Sequence, residues 1–426
     1  MTSPRPSLLR RIAVDVTPLR TSRDFRLLWS GELASEIGSN MTLVALYVQV
    51  YAITGSPFAV GMIGLVQLVP LVCASLFAGP LIDRIDRRRL LLVAQCGQAS
   101  GSLVLLATAF QEHPPILLVY LGAGVVAGFG GFSLSTRTAL TPNLVPPGQL
   151  SAAVAVNQVM WNGCQIIGPA LGGIVVHRWG LTWAYGIDVV SFAGTILAAL
   201  LMRPKPPIRE TATDTEKPTT WRSMTEGFRF LKGQPELRGT FVIDLIAMIF
   251  GMPRALFPIL AQTRFGAGAD VVGYLFAAAS AGALIAALTS GWVHRIRRQG
   301  LAVLIAVAVW GLGIIAFGLS GSALGLALGT LAVAGGADVI SAVFRSTMVA
   351  TLTPDDLRGR IAAVHIMVVT GGPRLGDVES GVVAALFTPT VSVVTGGVAC
   401  LVGVVVVAAT MPRFRTYRAE VVAAPG

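Results

Sequence analysis

The chain has 426 residues, 54% of them hydrophobic and only 12% charged, with a mean hydropathy of +0.73. A soluble domain carries about a quarter charged residues, and no water-soluble fold of this size could bury so much apolar surface. The bilayer is therefore the solvent for most of the chain, which excludes a soluble enzyme, a nucleic-acid module and a secreted scaffold. The formal net charge of +11 sits in short clusters between apolar runs, where membrane topology explains it better than an acidic partner does.

Residues 1–26 carry Arg5, Arg10, Arg11, Arg20, Arg23 and Arg26, with prolines and no apolar stretch before the first span. They are expected to form a cytoplasmic arm, not a cleavable signal peptide. A membrane helix needs roughly 20 predominantly apolar residues. Six such runs follow, at 27–53, 58–82, 90–110, 115–140, 151–176 and 181–202. After a polar stretch come six more, at 241–262, 271–293, 301–320, 323–351, 361–387 and 390–411. Barrel strands are excluded because the runs are too long and do not alternate. Cys73, Cys96, Cys164 and Cys400 fall inside apolar runs without metal spacing and are expected to be packing residues.

Lys and Arg mark the cytoplasmic side of short connections. They crowd the connections after spans 2, 6, 8 and 10 and both terminal segments, whereas the opposite connections hold only Arg178 and Arg264. Both termini are therefore expected in the cytoplasm of a cell with the protein in its cytoplasmic (inner) membrane. The stretch 203–240 is the one large loop. Its part at 204–218 is proline-rich and charged, whereas Trp221, Met224, Phe228 and Leu231 recur at helical spacing among Arg222, Arg229 and Lys232. That pattern suits an amphipathic helix on the inner membrane face. The expected division is an arm at 1–26, a six-helix bundle at 27–202, a linker at 203–240, a second six-helix bundle at 241–411 and a tail at 412–426.

The two bundles repeat one another. Arg26 precedes Glu32-Leu33 by six residues and Arg238 precedes Asp244-Leu245 by six; Arg137 precedes Pro146 by nine and Arg345 precedes Pro354 by nine. Gly168-Pro169-Ala170-Leu171-Gly172-Gly173 is echoed by Gly372-Pro373-Arg374-Leu375-Gly376-Asp377. The offsets of 212, 208 and 204 drift little between equivalent spans. Duplicated halves are the basis of alternating access, in which two similar bundles rock about a midplane site. A channel or membrane enzyme does not require such symmetry.

On these residues the chain resembles the major facilitator superfamily of transporters. The run 79–89, Gly-Pro-Leu-Ile-Asp-Arg-Ile-Asp-Arg-Arg-Arg, is similar to the superfamily's glycine–aspartate–basic loop motif, with Asp83, Arg84, Arg87 and Arg88 on its charged positions and Gly79 on its helix-packing position. Asp86 stands where the family usually has glycine; aspartate tolerates left-handed turns better than most residues. The matching place in the second half, 291–298, keeps the basic run and loses the acid. Gly168, Pro169, Gly172 and Gly173 resemble the motif of proton-driven drug antiporters, although Cys164 stands four residues before Gly168 and the nearer glycine is Gly163. Phe25–Trp29, Thr54–Gly61 and Gly372–Gly381 give the whole chain a likeness to the branch of enterobactin exporters and drug:proton antiporters. The resemblance implies an all-α membrane fold of two pseudo-symmetric six-helix bundles. It also places spans 1, 4, 7 and 10 around a central cavity.

Ionisable groups inside a bilayer cost several kcal/mol unless paired or wet, so each is a functional candidate. The acids within spans are Glu32, Glu36, Asp188, Asp244, Asp338, Asp377 and Glu379. Glu32 and Glu36 share one face of the first span, with Glu36 on the order of 13–15 Å deep, where two neighbouring carboxylates suit proton coupling. The alternative is a pair of polar residues lining a wet cavity or hydrogen-bonding a neighbouring helix. Asp338 lies about two turns before Arg345 on one face and is the comparable candidate in the second half. Asp244 would cap or gate the cytoplasmic end. Arg374 and Asp377, one turn apart, are expected to form an ion pair.

Asp83, Arg84, Arg87 and Arg88 suit a cytoplasmic gate, with the facing span 11 as the partner the resemblance implies and Arg137 and Arg345 joining the latch. Positive-inside topology alone accounts for Arg87–Arg89 but not for Asp83. Trp29, Tyr47, Tyr51, Phe250 and Arg254 are candidate substrate contacts in an apolar path that suits drug-like ligands. The glycines of the fifth span permit close helix approach, read either as a leak-proof seam or as ordinary packing. These features predict a secondary transporter, with protons and a small amphipathic organic molecule (drug, siderophore or secondary metabolite) as partners, acting as a monomer in the lipid bilayer by export. A proton-coupled uptake symporter is the alternative. With no metal cluster, nucleotide loop or nucleophile in the sequence, neither an enzyme nor a cofactor is expected, and no nucleic acid.

Overall fold

A computed structural model describes residues 15–203, 229–354 and 357–418. Among the described residues twelve long helices succeed one another: α1 Arg23–Thr54, α2 Pro57–Arg84, α3 Arg87–Ala109, α4 Ile116–Leu140, α5 Leu150–Trp179, α6 Leu181–Leu201, α7 Pro235–Phe265, α8 Ala269–Thr289, α9 Gln299–Gly318, α10 Leu324–Leu352, α11 Arg358–Leu386 and α12 Pro389–Thr410. Eleven of them are long and apolar enough to cross a membrane. The remaining one, α11, has 29 residues and falls short in hydropathy because Arg374, Asp377 and Glu379 interrupt its apolar run.

The helix ends follow from local chemistry. Ser22 caps α1 by accepting from Phe25 N at 3.2 Å, Ser56 caps α2 and Thr388 caps α12, each satisfying an amide that has no partner within its helix. Gly55 closes α1 in the left-handed conformation, φ +59°. Asp86 is the N-cap of α3: its carboxylate accepts from Arg88 N at 2.8 Å and its φ is −53°. The left-handed turn for which aspartate was suited is therefore not used; a side-chain cap does the work of the family's glycine.

The main departure from the sequence expectation is α7. It is a helix at Pro235–Phe250, a break at Gly251-Met252-Pro253, a 3-10 turn at Arg254–Leu256 and a second helix at Phe257–Phe265. Proline has no N–H to continue the ladder, and the freed Gly251 carbonyl accepts instead from Trp310 Nε1 of α9 at 3.1 Å. Irregular backbone at membrane depth survives only where neighbours satisfy it in this way.

Packing repeats between the halves. In the first, α1 packs on α5 and α6, α2 on α4, and α3 on α4 and α6. In the second, α7 packs on α11 and α12, α8 on α10, and α9 on α10 and α12. The halves meet through α2 against α11 and α5 against α8. These seams are closest at one end, where α2 and α8 begin. There a Cβ on Gly61 would stand 2.5 Å from the Asp377 carbonyl oxygen, and one on Gly173 2.6 Å from that of Ala269. Below, this is the far end, and the end bearing Arg84 and Arg87–Arg89 is the basic end.

Of the expected amphipathic linker helix, Trp221, Arg222, Met224 and Phe228 lie outside the described residues, as does the stretch 204–218. Leu231 is not on a membrane face: it is buried against Leu237, Phe241, Ile361 and Val364.

Candidate transport cavity and its gate

A cavity of about 610 Å³ lies between the halves. The break in α7 delivers Arg254 and Phe257 to it, α5 contributes Trp161 and the amides Gln158, Asn162 and Gln165, and α8 contributes Phe276. Trp310, from α9, and Asp338 and Ser346, from α10, add to its wall. Gln158 and Ser346 are exposed and lie toward the basic end of their helices, so the cavity runs from a closed far end toward the basic end.

The closure is built from three residues on three helices. Tyr47 of α1 donates its hydroxyl to Asp377 Oδ2 at 2.7 Å, and Arg254 Nη2 reaches the same oxygen at 3.1 Å. Asp377 is 1% exposed, so this charge is held by a partner from each half. The Tyr47 and Phe257 rings both pack edge-on against Phe276, at 5.6 and 4.9 Å. Arg254 thus has two positions in the site: it lines the cavity and it belongs to the cross-half closure. The expected Arg374–Asp377 pair gives way to this arrangement, and Arg374 Nη1 donates to the Thr370 carbonyl at 2.7 Å.

The candidate proton-coupling acids form one arginine-centred cluster in each half. Arg137 of α4 binds Glu36 of α1 at 2.9 Å and stands 3.7 Å from Glu32. Arg345 of α10 is hydrogen-bonded to Asp244 of α7, while Asp338 stands 3.6 Å from it. The sequence repeat that aligned Arg137 with Arg345 and Glu32 with Asp244 is therefore a repeated ion pair. Asp244 is not the helix cap, which is Gln234; it is buried in this pair. Asp338 is the most exposed of these acids, its side chain 27% against 7% for Glu32 and 17% for Glu36, and its Oδ1 accepts no hydrogen bond among the described residues. Asp188, by contrast, is buried and takes hydroxyl donors, Ser102 Oγ at 2.6 Å and Ser39 Oγ at 3.4 Å.

The expected cytoplasmic latch has a different form in this conformation. Arg137 and Arg345 are spent on acids of their own halves. Arg87 donates to the Ala139 carbonyl at 3.1 Å, and Arg88 to those of Ala199 and Leu200 at 2.7 and 2.6 Å. These are last-turn carbonyls of α4 and α6, which have no partners within their helices. Arg84 is exposed. The surroundings of Gly79 and the side chain of Asp83 lie outside what the structure describes. The latch arginines are engaged within one half because the closest seams between halves are at the far end.

Of the five candidate substrate contacts only Arg254 is among the cavity-lining residues. Trp29 packs near the basic end against the cluster of Phe25, Leu28 and Leu91, Tyr47 is in the closure, Tyr51 packs against the main core, and Phe250 is 36% exposed. The aromatic lining that sequence reasoning missed is Trp161, Phe257, Phe276 and Trp310. The helical proximity of Trp161 and Gln165 to Pro169 was the one signal available for it.

The glycines of α5 serve two seams at once. A Cβ on Gly168 would meet Asn40 of α1 at 2.4 Å and one on Gly172 would meet Met41 at 2.8 Å, whereas Gly173 faces Gly273 of α8 across the halves and a Cβ on Gly273 would stand 2.5 Å from the Pro169 carbonyl oxygen. In α11 the pattern returns, Gly372 against the Met248 side chain, Gly376 against the Met248–Ile249 backbone of α7 and Gly381 against Gly61 of α2.

Comparison with known proteins agrees with this architecture. The family profile described as transmembrane secretion effector matches residues 13–423. The enterobactin exporter EntS of Escherichia coli O157:H7 (strain EC4115 / EHEC) is 28% identical over 417 residues, covering 97% of this chain and 98% of its own. Among solved structures, a POT family transporter in complex with 5-aminolevulinic acid superposes with a TM-score of 0.73 at 12% identity, covering 92% of this chain and 97% of its own. A bacterial homologue of the iron transporter ferroportin, in an inward-facing state, gives 0.68 at 13% identity, covering 96% and 100%. A match over nearly the whole chain, on a duplicated twelve-helix frame, places the protein in the transmembrane secretion effector family of major facilitator superfamily transporters: it is a multi-pass membrane transporter of small molecules, not an enzyme.

Proposed function

We propose that this chain exports a small aromatic, siderophore-class molecule from the cytoplasm in exchange for protons. The observation that carries the proposal is the lining of the central cavity: four aromatic side chains, three amides and one arginine, Arg254, beside the carboxylate of Asp338. Aromatic walls take up flat rings, the amides satisfy hydroxyls, and a guanidinium favours an acidic phenol or carboxylate. The named function of the 28%-identical relative supports the same substrate class. A single chain encloses the whole cavity, in keeping with a monomeric transport unit.

The arginine clusters support a cytoplasmic location for the basic end and both termini in the inner membrane, so the described conformation is open to the cytoplasm. Substrate enters past Gln158 and Ser346 and its acidic group competes with Asp377 for Arg254. Loss of that ion pair frees Tyr47 and loosens the far-end closure. The halves then rock about the cavity, and Arg84, Arg87, Arg88 and Asp83 become available to latch the basic end. The proton enters from outside. Asp338 is the favoured carrier because it faces the cavity and its arginine is already engaged with Asp244. Glu32 and Glu36 are the second pair of candidates, both less exposed than Asp338 and Glu36 hydrogen-bonded to Arg137. The glycine seams of α5 and α11 keep the far end sealed against leak while the cavity loads.

The test is transport in proteoliposomes. An imposed pH gradient, acid on the side opposite the basic end, should drive a catechol-type siderophore out against its own gradient, with proton movement in the opposite direction. Substrate and proton moving in the same direction would replace export by symport, and transport indifferent to the pH gradient would remove protons from the scheme.

A further inference from the structure

A second site lies on the outer surface of the C-terminal half, away from the transport cavity. Where α8 crosses α10, the backbones are in contact: a Cβ on Gly282 would meet the Ala332 carbonyl oxygen at 1.8 Å, and one on Gly335 that of Ala279 at 2.0 Å. Such close crossing, with Ala286, Ala302, Ala306 and Gly336 around it, leaves a shallow floor between taller side chains. The result is a groove of about 720 Å³ running along α9 from Leu301 to Val309, about 12 Å at the helical rise. Ile285, Ile305 and Val333 on its walls are more than half exposed, so it opens to the lipid.

Its mouth at the basic end is chemically distinct from its floor. Trp292 and Arg298 line it, and Arg295 and Arg297 stand exposed on the same short connection. Tryptophan favours the headgroup level of a bilayer, and basic residues at the mouth of an interhelical groove match a phosphate headgroup. A comparable surface groove of about 760 Å³ between α2 and α4 has no charged residue in its lining, so charge at the mouth is particular to the second half.

We propose that the α8–α9–α10 groove is a binding site for an anionic phospholipid, one acyl chain lying on the small-residue floor and the phosphate held by Arg298. The experiment uses the full-length protein in nanodiscs containing a trace of spin-labelled phosphatidylglycerol or spin-labelled phosphatidylcholine, and reads the immobilised fraction of each. Wild type should hold phosphatidylglycerol several-fold better than phosphatidylcholine. Arg298→Gln, on an exposed connection that does not challenge folding, should remove that preference and leave phosphatidylcholine unchanged. Ala302→Trp, which fills the floor, should lower the immobilised fraction of both. Equal retention of the two lipids by wild type overturns the proposal. So does a preference that survives Arg298→Gln, and so does one that disappears only in Arg89→Gln, which would put the headgroup on the other basic connection.

Discussion

Arg137 and Arg345 stand 208 positions apart, and each is ion-paired with the matching acid on the first helix of its own half, Glu32 and Asp244. Duplication has therefore preserved a bond and not merely a pattern of letters. What differs is the remaining acid. Glu36, on the same helix as Glu32, is hydrogen-bonded to Arg137 at 2.9 Å, whereas Asp338, on the arginine's own helix, faces the cavity.

That difference predicts unequal effects of neutralising the acids. Asp338→Asn should lower pH-driven substrate export by roughly tenfold or more, within the usual range of coupling energies. Substrate exchange without a gradient should survive, since the cavity wall is otherwise intact. Glu36→Gln should cut both modes together by weakening the α1–α4 ion pair. Parallel flux measurements in proteoliposomes check this; the reverse ranking would move the proton to α1.

At the far end, Tyr47→Phe removes the hydroxyl that donates to a buried carboxylate. Hydrogen bonds to charged groups contribute about 1.5–3 kcal/mol, so the conformer closed at the far end should lose at least about tenfold in population relative to its outward-open counterpart. Distances between spin labels at the far ends of α1 and α7 should lengthen. Asp377→Asn should act in the same direction, because it also discharges the partner of Arg254.

The glycine seam gives a contrast between two neighbouring positions. A methyl at Gly173 would stand 2.6 Å from a backbone oxygen of α8, while one at Gly163 meets nothing within 4 Å. Gly173→Ala must force the halves apart and should abolish most transport. Gly163→Ala should transport normally and melt slightly higher, since alanine is about 0.5–1 kcal/mol better than glycine inside a helix.

Trp310→Phe keeps a ring in the core but withdraws the donor that satisfies the Gly251 carbonyl. An unsatisfied buried polar group costs about 1–3 kcal/mol. A lower melting temperature is expected, together with weaker substrate binding, because the same indole lines the cavity beside Arg254. Thermal melts and binding titrations on the purified protein measure the two effects separately.

Helix number, helix limits and the repeat were legible because they depend on local composition: runs of apolar residues, Ser and Asp caps, Pro and Gly at the ends. The pairing of Tyr47 with Asp377 was not, since it joins residues 330 positions apart through the way two bundles happen to lean. Arg374 lies one turn from Asp377 and looked like its natural partner, yet the break at Pro253 turns Arg254 into that place. Arg87 and Arg88 were read as gate residues from their motif. Their present partners, carbonyls of α4 and α6, are backbone atoms that carry no signature in sequence.

The interruption of α7 has no equivalent in α1, an unbroken helix of 32 residues. One bundle therefore presents an unbroken rod to the pathway and the other an interrupted one, whose nine-residue tip, Phe257–Phe265, is tied by Arg264 to the Phe317 and Gly318 carbonyls of α9 and to Thr390 of α12. The duplicated halves thus differ where they meet the pathway, and the interruption falls in the half that delivers Arg254 to both cavity and closure.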